Sequence, residues 1–139
     1  MQIKIKHLLI PLFFIVFIGC EKNTHPVPNV YVNIYINVTS TQYIELNNIG
    51  GWLYLTGGYN GLIVYRRSLN EFMAFDRACP YNHTTDPALD IDASGMIAEC
   101  SQCGSKFLLY DGTVIEGPAS LPLKAYRTVF DGIYLHIYN

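Results

Sequence analysis

The chain has 139 residues, enough for one domain, with four cysteines, four histidines and a formal charge of −2. Its nine basic residues are too few and too scattered for the clustered Lys/Arg surface that a nucleic-acid partner requires. Eleven tyrosines and a high apolar content suit strands covering a small core.

Lys4 and Lys6 precede an apolar run from Leu8 to Ile18, followed by Gly19 and Cys20. A charged start, an apolar stretch too short to span a bilayer comfortably and a small residue before the cut read as an export signal over residues 1–19. Phe17-Ile18-Gly19-Cys20 resembles a bacterial lipobox, which implies that Cys20 is lipidated and anchors the chain outside the cytoplasmic membrane, in the cell envelope. Residues 20–29, polar and carrying Pro26 and Pro28, then form a tether, and residues 30–139 form the domain. Without Lys4 and Lys6 that mature chain keeps seven basic residues against eleven acidic ones.

The domain opens on "VYVNIYINV" (30–38), which alternates strictly. Val30, Val32, Ile34, Ile36 and Val38 face one way, and Tyr31, Asn33, Tyr35 and Asn37 the other, which is a strand with one buried face. "WLYLT" (52–56) and "LIVYR" (62–66) flank a glycine-rich turn at 57–61 and predict a hairpin. "EFMAF" (71–75) is the next strand. "KFLLY" (106–110) and "TVI" (113–115) flank Asp111-Gly112, and "KAYRTVF" (124–130) and "IYLHIY" (133–138) flank Asp131-Gly132, both turns of hairpin type. No segment past the leader carries a helical stripe. The fold class is therefore all-β, a small antiparallel sandwich or barrel.

Two stretches carry the chemistry. "CPYNH" places Cys79 four residues before His83, and "CSQC" places Cys100 three before Cys103. Sixteen residues separate His83 from Cys100. With Cys20 lipidated, three cysteines remain, an odd number that makes a poor disulfide framework but an acceptable metal site. Each pair lies on a loop beyond a strand, so strand pairing can bring them together, as small β domains do around zinc or an iron–sulfur cluster.

The second loop continues Gly104-Ser105-Lys106-Phe107, then Gly112-Thr113-Val114 and Gly117-Pro118-Ala119 with Pro122-Leu123. These motifs and their spacing resemble the Rieske iron–sulfur domain, from about residue 45 to 138. The resemblance implies a [2Fe–2S] cluster and single-electron transfer to and from an unidentified redox partner. This chain departs from the family twice. The first loop is Cys-x3-His, with Tyr81 at the usual histidine position, and Cys103 stands where the second histidine belongs. By analogy Cys79 and Cys100 bind one iron, and His83 and Cys103 the other. Three thiolates make the cluster one charge more negative than the two-Cys, two-His set, which lowers the potential. Replacing Cys103 by His should raise it. The chain is too short to hold the mononuclear-iron domain of a Rieske oxygenase, so a carrier is expected rather than a stand-alone enzyme.

Two alternatives stand beside the cluster. Three Cys and one His also suit tetrahedral zinc in a non-redox lipoprotein. A degenerate, cluster-free fold with a local Cys100–Cys103 disulfide is the other, since an exporting compartment permits it. A thioredoxin-like role for Cys100-x-x-Cys103 fits poorly, because a strand rather than a helix follows. His25 and His136 read as solvated or packed residues.

Overall fold

The computed structural model describes residues 24–139; the expected leader and the expected lipidation site Cys20 lie outside the described residues. Among the described residues there are ten strands and one 3-10 helix (Thr41–Asn47): β1 (Asn33–Asn37), β2 (Trp52–Leu55), β3 (Leu62–Arg66), β4 (Phe72–Asp76), β5 (Asp90–Ile91), β6 (Ile97–Glu99), β7 (Lys106–Leu108), β8 (Val114–Glu116), β9 (Ala125–Phe130) and β10 (Tyr134–Tyr138). All pairings are antiparallel. Six strands form one sheet in the order β1-β10-β9-β4-β3-β2, and the other four form a small sheet in chain order.

The three hairpins read from turn composition are present, with β2 on β3, β7 on β8 and β9 on β10. Gly112 shows why its turn requires glycine. Its φ is +80°, and a Cβ there would meet the Phe75 ring at 2.7 Å. The alternation of residues 30–38 also holds, since Val32, Ile36 and Val38 are buried while Tyr31 and Tyr35 are exposed.

Strand β3 is apolar without a break from Leu62 to Tyr65, and the structure gives the reason. Leu62 and Val64 face a core lined by Val32, Ile36, Phe72, Leu135 and Ile137, inside the curled six-stranded sheet. Ile63 and Tyr65 face a second core with Phe75, Leu89, Phe107 and Leu109, where the small sheet packs on the other side. A strand buried on both faces has no polar side to alternate with. Cys79 and Cys100 belong to this second core, so the packing that holds the small sheet in place also fixes both sulfurs.

Asp76 joins the two cores at the end of β4. It is fully buried and its carboxylate accepts hydrogen bonds from the N–H groups of Tyr59 (2.6 Å), Asn60 (3.1 Å) and Ala78 (2.9 Å) and from the Tyr126 hydroxyl (2.8 Å). Burial first, and then the Asp76 carboxylate, push the Tyr126 phenol well above its ordinary value of 10.0. The unfolded chain ionises this group near pH 10 and the folded chain does not. The associated stability is therefore intact below pH 10 and falls as pH rises beyond it. In Tyr126→Phe we expect a loss of about 1–2 kcal/mol at neutral pH and a shallower decline above pH 10, both read from urea unfolding at stepped pH. An equally steep alkaline decline in the variant contradicts this.

His25 and His136, read from the sequence as solvated or packed, are both half-buried. His25 Nε2 lies 2.9 Å from the Pro122 carbonyl, and Val27 beside it is buried, so part of the expected tether lies against the domain. The His136 ring stacks on Tyr35 and Tyr138 at centroid distances of 3.9 and 4.5 Å.

Candidate metal centre

The segment after β4 carries Cys79, and the turn between β6 and β7 carries Cys100 and Cys103. Both run from the same region of the molecule, because β4 and β7 each send an aromatic side chain (Phe75, Phe107) into the second core. The Cys100–Ser105 turn is closed by the Gly104 N–H on the Cys100 carbonyl (2.8 Å) and the Cys100 N–H on the Ser105 carbonyl (2.9 Å). Gly104 takes a φ of +77°, which few other residues adopt. This turn directs the Cys103 N–H at the Cys100 sulfur, 3.4 Å away.

Across the two loops the Cys79 and Cys103 sulfurs are 3.6 Å apart. All three cysteines are free thiols, so the alternative of a Cys100–Cys103 disulfide is not what the structure forms. Cys79 and Cys100 are buried and Cys103 is half-buried. Burial raises the Cys79 thiol, against the opposing pull of the Tyr81 and Asn82 N–H groups. Burial likewise raises Cys100, opposed by the N–H groups of Cys103 and Gln102. At Cys103 burial is outweighed by hydrogen bonding from Ser105, and the thiol lies below its ordinary value. Ser105 is itself fully buried, 3.1 Å from the Cys103 sulfur, and its oxygen accepts the Ala119 N–H at 2.9 Å. The Gly-Pro-Ala segment thus braces the hydroxyl that faces the sulfur.

The fourth member of the group is Asp86. One ligating atom from each of Cys79, Asp86, Cys100 and Cys103 lies within 4.8 Å of every other. The Cys100 thiol donates to Asp86 Oδ2 at 3.4 Å. A single turn closed by the Asp86 N–H on the Asn82 carbonyl (2.9 Å) brings this carboxylate inward, where it is 8% exposed. His83 is not in that group. Its ring lies edge-on against Tyr59, with centroids 5.3 Å apart. The structure therefore assembles three of the four side chains expected to ligate and adds Asp86, which was not among those expected from the sequence. A carboxylate seven positions past a loop cysteine was the available signal, but one acidic residue among four in that interval had nothing to single it out.

Three thiols and a carboxylate suit iron or zinc. Their span is smaller than two irons demand. Two tetrahedra sharing an edge, with bonds of about 2.3 Å, set donors on opposite metals about 5 Å or more apart. A [2Fe–2S] cluster fits only if the loop carrying Cys79 and the turn carrying Cys103 move apart.

No profile of a known protein family matches the chain, and no curated protein sequence does. Solved structures do resemble it. The plasma membrane Rieske protein PetC3 from the cyanobacterium Synechocystis PCC 6803 superposes with a TM-score of 0.57 at 19% identity, covering 75% of this chain and 99% of that one. The ferredoxin of carbazole 1,9a-dioxygenase from Nocardioides aromaticivorans IC177 gives 0.51 at 18% identity, covering 79% and 98%. The chain has the Rieske fold.

Proposed function

We propose that this domain is a one-electron carrier of the cell envelope, tethered through Cys20, whose redox centre is iron held by the thiolates of Cys79, Cys100 and Cys103. The observation that supports it is the convergence of these three free thiols in a buried site ringed by backbone N–H groups. The thiolates offset ferric charge, and the N–H groups stabilise the thiolates. Phe107 and Leu109, fully buried beside Cys79 and Cys100, exclude water. Iron in such a setting supplies a ferric–ferrous couple. The half-buried Cys103 gives the edge at which an electron enters or leaves, and its exposure suits a partner that docks on the loop end of the domain.

The [2Fe–2S] cluster implied by resemblance, with His83 as fourth ligand, would need the Cys79 loop and the Cys103 turn to move apart. A structural zinc site in a non-redox envelope protein is a second reading. It is favoured by one observation, the 3.6 Å between Cys79 and Cys103 sulfurs, close to the edge of about 3.8 Å in a single zinc–thiolate tetrahedron. Among the described residues no helix is long and apolar enough to cross a membrane, so the proposed attachment depends on the leader and Cys20.

Protein purified from its native envelope tests the proposal. We expect iron, thiolate-to-iron absorption in the visible, reversible bleaching on one-electron reduction, and radiolabelled lipid on Cys20. A colourless protein with one zinc per chain sinks the carrier reading.

Ser105 carries a separate expectation. Its hydroxyl can turn to donate to a Cys103 thiolate, and a hydrogen bond to sulfur favours the reduced centre. Ser105→Ala should lower the midpoint by about 40 mV, for a hydrogen bond of about 1 kcal/mol. Protein-film voltammetry reads this directly, and an unchanged or higher midpoint contradicts it.

A further inference from the structure

The spacing of the donors carries more information than their identity. A single tetrahedral ion with metal–sulfur bonds of about 2.3 Å separates its donors by about 3.8 Å. The four atoms here lie within 4.8 Å of one another, with Cys79 and Cys103 at 3.6 Å. Donors shared between two edge-linked tetrahedra are never all that close. We infer that the site is built for one metal ion, with Asp86 completing a three-thiolate, one-carboxylate tetrahedron. This rests on the proposal that a metal occupies the site, and it specifies how many ions and which fourth ligand.

Asp86 supports the assignment independently of the spacing. A buried carboxylate requires hydrogen-bond donors or a cation. Among the described residues the hydrogen bond its side chain accepts comes from the Cys100 thiol, a weak donor, at 3.4 Å. A metal ion held by the three thiols would give this carboxylate a cationic partner. His83 needs no such partner, since its ring packs on Tyr59. The turn that carries both residues is short, so one helical turn (Asn82–Asp86) decides which of them faces the sulfurs.

The test uses the full chain, first as isolated from the envelope and then stripped by chelation and titrated with Co²⁺ without oxygen. The isolated protein should contain one metal per chain and no acid-labile sulfide, and Co²⁺ should saturate at one equivalent with the intense d–d bands of a tetrahedral site. Asp86→Ala should weaken Co²⁺ at least about 10-fold and shift those bands. Asp86→Cys should restore tight binding with the spectrum of four thiolates, which guards against simple misfolding of the alanine variant. His83→Ala should leave stoichiometry and spectrum unchanged. Two irons and two labile sulfides per chain overturn the single-ion site while leaving the electron carrier standing. One native zinc does the reverse. Loss of Co²⁺ binding in His83→Ala with retention in Asp86→Ala overturns the ligand assignment, and no metal under any condition overturns both readings.

Discussion

Cys100→Ser is expected to empty the metal centre. Cys100 is fully buried, and its sulfur receives the Cys103 N–H and contacts the Asp86 carboxylate. Like Cys103, it has contacts to both the short turn and the first loop, and it is the more deeply buried of the two. Serine keeps the size but offers a hard oxygen that stays protonated at neutral pH and binds soft metals poorly. Affinity should fall by more than the roughly 10–100-fold that losing an outer-shell partner costs. Because metal binding to such a site is folding free energy, the purified variant should also melt at the temperature of the stripped wild type, with metal analysis showing a nearly empty chain. A Cys100→Ser protein that retains a full equivalent of metal removes the basis for the proposed function.

Asp76→Ala should produce the largest loss of stability available from one exposed-to-nothing polar side chain, about 3–5 kcal/mol. The substitution deletes a buried carboxylate and leaves the Tyr59, Asn60 and Ala78 N–H groups and the Tyr126 hydroxyl without an acceptor. The native fit is tight, since a Cβ on the neighbouring Gly58 would sit 2.5 Å from Asp76 Oδ2. The damage should reach the metal loop, since Ala78 directly precedes Cys79 and Tyr59 packs on His83. Asp76→Asn should lose less, because it keeps an acceptor oxygen but turns a donor toward donors. Urea unfolding of the two variants decides the matter, and a loss below about 1 kcal/mol in the alanine variant contradicts the structural role assigned here.

Periodicity and turn chemistry revealed much of this architecture because the signals were local. The strict alternation at 30–38, the apolar run at 62–65 and the Asp-Gly pairs at 111–112 and 131–132 each depend on neighbouring residues alone. Strands β5 and β6, two and three residues long, escaped notice because a period of two cannot show in so short a piece. The 3-10 helix at Thr41–Asn47 has no side-chain cap and buries only Leu46, so it leaves no amphipathic pattern. The pairings of β1 with β10 and of β4 with β9 join segments far apart in the chain, and hydrophobic pattern does not specify partners.

The candidate site divides in the same way. Cysteine spacing was visible as residue types, and the three sulfurs do converge. The choice between His83 and Asp86 was not visible, because it turns on the rotation of one short loop, which follows from how the Asn82–Asp86 turn closes and how Tyr59 packs.

The contact between His25 and Pro122 has a consequence for orientation. Pro122 lies three residues beyond Ala119, whose N–H reaches the Ser105 oxygen beside Cys103. With Cys20 acylated, five residue steps separate the acyl chains from this contact, at most about 18 Å of extended backbone. On the proposed acylation, the domain would hang on a short leash that meets it three residues along the chain from the segment bracing Ser105. On the proposed function, electron exchange would then be confined to a layer within reach of this leash above the bilayer.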